Sequence, residues 1–268
     1  MNWLIYLDGL LVILVIAVLT WLLSLRLRDV SIVDSAWSLM FLGAAVVYLL
    51  NAGNLELRNT LILIMVGIWA IRLSVHLTWR NWGEPEDKRY QEIREKYSPN
   101  FGIKSLFIIF LFQAVLAWII TMPLYASLTL PGTSLPLDIV GVALWLAGLS
   151  FESLADWQLA RFKANPDNQG KVMDKGLWRY SRHPNYFGEC LIWWGFYLLA
   201  VSSSGWWTIV APLLITWLLL KFSGVVMLEQ TIVNRRPAYA DYIKRTNAFI
   251  PGPIKPDKTT KYQEGHAK

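Results

Sequence analysis

Trp3-Leu4-Ile5-Tyr6-Leu7-Asp8-Gly9-Leu10-Leu11-Val12-Ile13-Leu14-Val15-Ile16-Ala17-Val18-Leu19-Thr20-Trp21-Leu22-Leu23-Ser24 contains a single charge, Asp8. A helix of about 20 such residues crosses the roughly 30 Å hydrocarbon core of a bilayer. The stretch is too long for a cleaved signal peptide and lacks both a basic leading region and a small-x-small cleavage site, so it reads as a helix of the mature chain. Working outward, six more apolar blocks follow, near 31–50, 59–79, 105–128, 137–160, 184–203 and 205–228. Arg72 interrupts the third, and only Ser202-Ser203-Ser204-Gly205 separates the sixth from the seventh. The composition agrees: at 55% hydrophobic and 16% charged, with 15 tryptophans in 268 residues, the chain is too apolar for an ordinary soluble domain. The expectation is an all-α integral membrane protein of about seven transmembrane helices. The one cysteine, Cys190, falls within the sixth block, which leaves neither a disulfide framework nor a cysteine-based metal site.

Lys and Arg in short flanking segments orient such a protein. Of the 25, only Arg58 falls on one side of the bilayer, and Arg72 and Lys221 lie inside blocks. The rest crowd the segments after the first, third, fifth and seventh blocks. That asymmetry predicts an N-terminus outside and a C-terminus in the cytoplasm. Topogenesis alone would explain the cations. It does not explain the acids, amides and aromatics interleaved with them, as in Arg80-Asn81-Trp82-Gly83-Glu84-Pro85-Glu86-Asp87-Lys88-Arg89-Tyr90. A catalytic or cofactor-binding face is expected on the cytoplasmic side.

The densest constellation is Gly176-Leu177-Trp178-Arg179-Tyr180-Ser181-Arg182-His183-Pro184-Asn185-Tyr186-Phe187-Gly188-Glu189. Pro184 suits the first turn of a helix, which puts Arg179, Arg182 and His183 at a helix N-terminus favourable to an anion. Glu189 then lies inside the membrane, where an ionisable group marks function by default. Upstream, Glu152 and Asp156 share one helix face at i, i+4. Downstream, Glu229 precedes Arg235-Arg236-Pro237-Ala238-Tyr239-Ala240-Asp241-Tyr242. These groups could form a polar cage, or could pair with one another to close the helix ends.

The stretch from His183 to Glu189, with the segment from Glu229 to Tyr242 and Phe249-Ile250-Pro251, resembles the C-terminal domain of the steroid 5-alpha reductase family. The chain as a whole resembles the bacterial branch of that superfamily, closely over 150–254 and more loosely over 30–97, where Asp34-Ser35-Ala36-Trp37 and Glu86 to Tyr90 carry the likeness. The resemblance implies a multi-pass protein of the bacterial inner membrane that uses NADPH to reduce a carbon–carbon double bond conjugated to a carbonyl, as in a 3-oxo-4-ene steroid. It implies a substrate-pocket half over 1–128, a cofactor-binding half over 137–254 and a polar tail over 255–268. Asp156, Lys163, Asn185 and Glu189 match its polar positions, and Asn81 and Tyr90 fit its third-loop motif. The cofactor set further takes in Arg89 and, from the fifth loop, Lys171, Arg179, Tyr180, Arg182, His183 and Tyr186. Glu229, Arg235, Arg236, Tyr239 and Tyr242 complete it.

The chemistry of the residues is consistent with that assignment. NADPH carries a pyrophosphate and a 2′-phosphate, which call for several cations, and no Gly-x-Gly-x-x-Gly follows a strand to form a soluble dinucleotide fold. Enone reduction needs a donor at the carbonyl oxygen, where charge develops. Asp34, which can donate if it is protonated in a buried setting, His76 and Tyr90 are the candidates, with Trp37 and Trp69 lining the substrate pocket. The animal enzymes place a Gln-Glu pair in the second helix and a Tyr in the third, where this chain has no such pair and Trp69. Asp34 could also serve only as a helix N-cap. The expected partners are a lipophilic enone and membrane lipid, without metal or nucleic acid. Two other readings are an isoprenylcysteine-type methyltransferase using S-adenosylmethionine, which has no phosphates, and a non-enzymatic lipid-handling protein.

Overall fold

The computed structural model describes residues 2–53, 56–222 and 237–255. Helices α1 (Trp3–Leu27), α2 (Ile32–Ala52), α3 (Leu57–Asn81), α5 (Phe101–Ile120) and α7 (Leu135–Ala164) are each long and apolar enough to cross a membrane. Among the described residues there is no strand beyond one isolated bridge, Ser181 to Asn247. The protein is thus an all-helical, multi-pass membrane protein. The sixth and seventh expected spans differ from the first five. The sixth corresponds to α8 (Pro184–Ser202), whose opening turns hold Asn185 and Glu189 and lower its hydropathy. The seventh, expected over 205–228, is described only as far as residue 222, where α9 covers Trp206–Lys221; the rest of that span lies outside the described residues. Shorter still are α4 (Lys88–Lys96), α6 (Met122–Thr129) and α10 (Ala238–Arg245).

The chain forms two compact units, Met1–Ile139 with Phe196–Ala211, and Val140–Gly195 with Pro212–Lys268. In the first unit α2 packs on α1 and α3. Polar groups in that interior are satisfied locally, as a lipid-embedded helix requires. The Tyr6 hydroxyl donates to the Trp118 carbonyl at 2.8 Å while the Trp118 indole donates back to the Tyr6 carbonyl at 3.0 Å. Tyr48 and Thr121 share a hydroxyl hydrogen bond of 3.0 Å, and Tyr48 lies where a side chain at Gly9 would stand.

Arg58 is the cation that the charge pattern isolates on the outer side. It grips Asp138 with Nε at 2.8 Å and Nη2 at 2.9 Å, and donates to the carbonyls of Ser127 at 2.8 Å and Leu199 at 2.9 Å. One guanidinium thereby ties the starts of α3 and α7 to the end of α6 and to residue 199.

In the second unit α7 and α8 meet along a seam of glycines. A Cβ on Gly148 would stand 2.6 Å from the Gly188 carbonyl oxygen, and one on Gly195 would stand 2.7 Å from that of Gly141. Glycines seven residues apart on each antiparallel helix therefore face each other, and backbone meets backbone at two levels, as small residues permit in membrane helix pairs.

Candidate functional site

In the first unit, polar groups gather where α4 meets the start of α2. Asp87 caps α4 by accepting from the Arg89 N–H at 3.0 Å. Glu86 accepts from the Val30 N–H at 2.8 Å and from Arg94 through Nε at 2.8 Å and Nη2 at 2.7 Å, which pins the loop before α4 to the chain before α2. Tyr90, in the first turn of α4, is consequently buried. Its hydroxyl donates to Asp34 Oδ1 at 2.6 Å and accepts from Gln113 Nε2 at 3.2 Å. Arg89 Nη2 donates to Asp34 Oδ2 at 3.0 Å.

Burial, followed by the neighbouring Asp34, pushes the Tyr90 phenol well above its ordinary range, so it keeps its proton. Burial also acts to raise Asp87 and Glu86, but the bonds and charges of Arg89 and Arg94 outweigh it and hold both carboxyls below the usual range. Asp34 is a doubly occupied acceptor, ion-paired with Arg89. It was expected to act as a donor; here both of its carboxyl oxygens accept, one from Tyr90 and one from Arg89. Arg89, expected among the cofactor cations, is engaged with Asp34 and Asp87.

The other candidates in this unit stand apart. Asn81 accepts from its neighbour Arg80 at 3.1 Å and takes no part in the Asp34 cluster. His76 lies against Trp79, with ring centroids 6.4 Å apart. Trp69 is fully buried edge-to-face on Phe41 at 5.6 Å, and Phe41 in turn meets Trp37 at 5.2 Å. Trp69 thus packs between α2 and α3, and Trp37 is half-buried.

In the second unit the glycine seam sets the register of the polar groups. With Gly148 against Gly188, the i, i+4 acids of α7 come opposite the first turns of α8. Asn185 Nδ2 donates to Asp156 Oδ1 at 3.1 Å, although 29 residues separate them. Glu152 and Glu189 are both buried, and Glu189 Oε1 accepts from the Trp193 indole at 3.0 Å. His183 is buried and stacked on Tyr186, with centroids 5.4 Å apart and planes 11° apart.

Arg182, Tyr239 and Tyr242, expected in the cofactor set, join one group of contacts in the second unit. The Arg182 guanidinium donates to the carbonyls of Ile243 and Thr246, and its backbone N–H donates to Asn247 at 2.9 Å. The Tyr242 hydroxyl donates to the Trp178 carbonyl, burial pushes its phenol up, and Tyr239 packs on it edge-to-face. Together they clasp α10 and the residues after it to the segment before α8. These contacts hold the fold together here, and they engage the Arg182 guanidinium with two backbone carbonyls. Lys163, Lys171, Arg179 and Tyr180 are exposed around that segment. Glu229, Arg235 and Arg236 lie outside the described residues.

Gln113 and the glycine seam went unremarked in the sequence. Gln113 is the one amide in the block 105–128, and Gly141, Gly148, Gly188 and Gly195 repeat at seven, so both signals are present there.

Comparison with known proteins agrees with this architecture. The chain is 26% identical over 281 residues to an uncharacterized protein of Schizosaccharomyces pombe, covering 92% of this chain and 79% of that one. It is 34% identical over 71 residues to 3-oxo-5-alpha-steroid 4-dehydrogenase 1 of Bos taurus and 33% identical over 70 residues to the Homo sapiens protein of that name. Those shorter matches cover 26% of this chain and 28% and 27% of the steroid dehydrogenases, so the chain aligns with only about a quarter of their length. No solved structure matches. The family described as "Protein of unknown function (DUF1295)" matches residues 20–246, and the chain belongs to it.

Proposed function

We propose that this protein is a membrane oxidoreductase that uses NADPH to reduce a carbon–carbon double bond conjugated to a carbonyl in a lipophilic, steroid-like substrate. The observation that carries the reading is the Asp156–Asn185 hydrogen bond. Two residues singled out by likeness to the steroid reductases, far apart in sequence, share one polar cluster with Glu152, Glu189 and the His183–Tyr186 pair. The partial likeness to 3-oxo-5-alpha-steroid 4-dehydrogenases supports the same chemistry.

The donor set around that cluster fits the cofactor. Exposed Lys163, Lys171, Lys175 and Arg179 offer cations to a pyrophosphate and a 2′-phosphate, while Asn185, Tyr186 and Glu189 offer hydrogen bonds to uncharged parts of a nucleotide. Bound NADPH would supply hydride. The chain's own contribution to the chemistry is the proton on Tyr90 Oη. In the structure that proton is given to Asp34; to serve a substrate the hydroxyl would turn from Asp34 to the carbonyl oxygen and donate as charge develops there, with Gln113 still donating to Oη and burial keeping the phenol neutral. The basic loops and the C-terminus would face the cytoplasm, with the membrane being the bacterial inner membrane.

Purified protein should oxidise NADPH when given 3-oxo-4-ene steroids or other lipophilic enones, and should prefer NADPH to NADH because the 2′-phosphate is the difference that the cations read. Equal affinity for the two nucleotides in a titration at fixed salt, or no oxidation across such a panel, would remove this reading. Retention of S-adenosylmethionine instead would transfer it to a methyltransferase.

A further inference from the structure

A cavity of about 290 Å³ opens in the first unit between the end of α1, the chain leading to α2, the end of α4 and the start of α5. Two arginines line it. Arg28 ends α1 in the left-handed conformation (φ 57°), and its exposed side chain meets no acidic partner among the described residues. Arg94 lies over the Phe101 ring at 4.5 Å, held on one edge by Glu86, and among the described residues Nη1 on its other edge takes no hydrogen bond. The remaining wall is mixed, with Leu25, Phe101 and the hydroxyls of Ser24 and Ser105. Both hydroxyls donate to carbonyls of their own helices, to Trp21 and Gly102, and so turn lone pairs rather than protons outward. Glu86, bound to Arg94, and Asp29, which also acts on Arg94, offset that guanidinium, so the cation left without an acidic partner among the described residues of this site is Arg28.

The cavity does not stand alone. Leu22 and Leu25 on α1, and Ile103 and Phe107 on α5, are all exposed. They form an apolar surface running away from the cations along two helices that cross a membrane. A guanidinium pair at the rim of the bilayer above an apolar wall matches an amphiphile with an anionic head and an acyl tail.

We propose that this cavity binds the phosphate head of an anionic membrane phospholipid, with Arg28 and Arg94 on the phosphate and an acyl chain against Leu25 and Phe107. A zwitterionic lipid brings the same phosphate together with a cationic choline, which the unpaired Arg28 repels, so head charge decides occupancy. The site is independent of the reductase reading, because it involves neither Tyr90 nor Asp156.

Native mass spectrometry of the full chain in non-ionic detergent can test this by titration with phosphatidylglycerol and with phosphatidylcholine of the same acyl length. Phosphatidylglycerol should be retained by roughly tenfold over phosphatidylcholine, the order that one or two cations at a membrane surface contribute. Arg28→Gln, which removes a charge from an exposed position, should abolish most of that preference while thermal unfolding stays unchanged. Leu25→Trp, which fills the groove without altering charge, should weaken retention of both lipids. Equal retention of the two lipids, a preference that survives Arg28→Gln, or retention unaffected by Leu25→Trp would each overturn the proposal. So would inorganic phosphate alone displacing phosphatidylglycerol at equal concentration, because the acyl wall would then have no part in binding.

Discussion

Tyr90 is held by both neighbours of its hydroxyl, and a test of the proposed chemistry begins there. Tyr90→Phe removes the proton while keeping the ring, and should lower the rate of enone reduction by roughly 10² to 10³, the usual cost of losing one donor at a developing oxyanion. NADPH affinity should be unchanged. Asp34→Asn keeps the shape but breaks the ion pair with Arg89, and should cost less than Tyr90→Phe; an Asp34 variant slower than Tyr90→Phe would return the donor role to Asp34. Arg58 offers a test of stability instead. Arg58→Met strands Asp138 and two carbonyls, and should cost about 3 kcal/mol or more in an unfolding measurement, whereas Arg58→Met with Asp138→Leu should recover much of it. Acid has its own signature at this scale. Glu86 and Asp87 have carboxyl pKa values below their ordinary range in the folded chain. Their contribution to stability is thus present above about pH 4 and fades as pH falls from there through the lowered values. Amide exchange in α4 should accelerate over that interval, ahead of α2. Asp34, Arg89 and Tyr90 could each be picked from the sequence for their polarity in or beside an apolar block. That they meet could not, since the hydrogen bond between Asp34 and Tyr90 joins residues 56 apart.

At the level of elements, the first five spans were legible because length and apolarity decide them; four lie within a few residues of where the pattern places them, while the block 105–128 divides into α5, which ends at Ile120, and α6. The sixth and seventh were less so. The opening turns of α8 are polar where they face the acids of α7, and these residues lower its hydropathy. The glycine seam is the device that holds the two helices together. A Cβ at Gly188 would stand 2.5 Å from the Glu152 backbone nitrogen, where nothing flexible can yield. Gly188→Ala should therefore destabilise the second unit by about 1–3 kcal/mol, the range for overpacking, and should weaken nucleotide binding, because Asp156 and Asn185 lose their register. Gly170→Ala meets no neighbour, but its positive φ of 78° confines the strain to an exposed turn. That variant should unfold earlier while still binding nucleotide, and the contrast separates seam geometry from general loss of stability.

For the whole molecule, the charge asymmetry makes a topological prediction. In a Cys190→Ser background, single cysteines at Asn2 and Thr133 should react with an impermeant maleimide added outside intact cells, whereas cysteines at Gly83, Gly170 and Lys255 should react only after permeabilisation. Labelling of Gly170 and Lys255 on opposite sides would show that α8 and α9 do not make a complete hairpin across the bilayer. The glycine seam also bears on how the chain is made. A helix bearing Asn185 and Glu189 in its opening turns partitions poorly into lipid by itself, but α7 leaves the ribosome first with a surface cut to receive it. The insertion of α8 then depends on what precedes it in synthesis. A chain stopped after α7 should integrate, while α8 preceded by an unrelated span should slip back through the translocon.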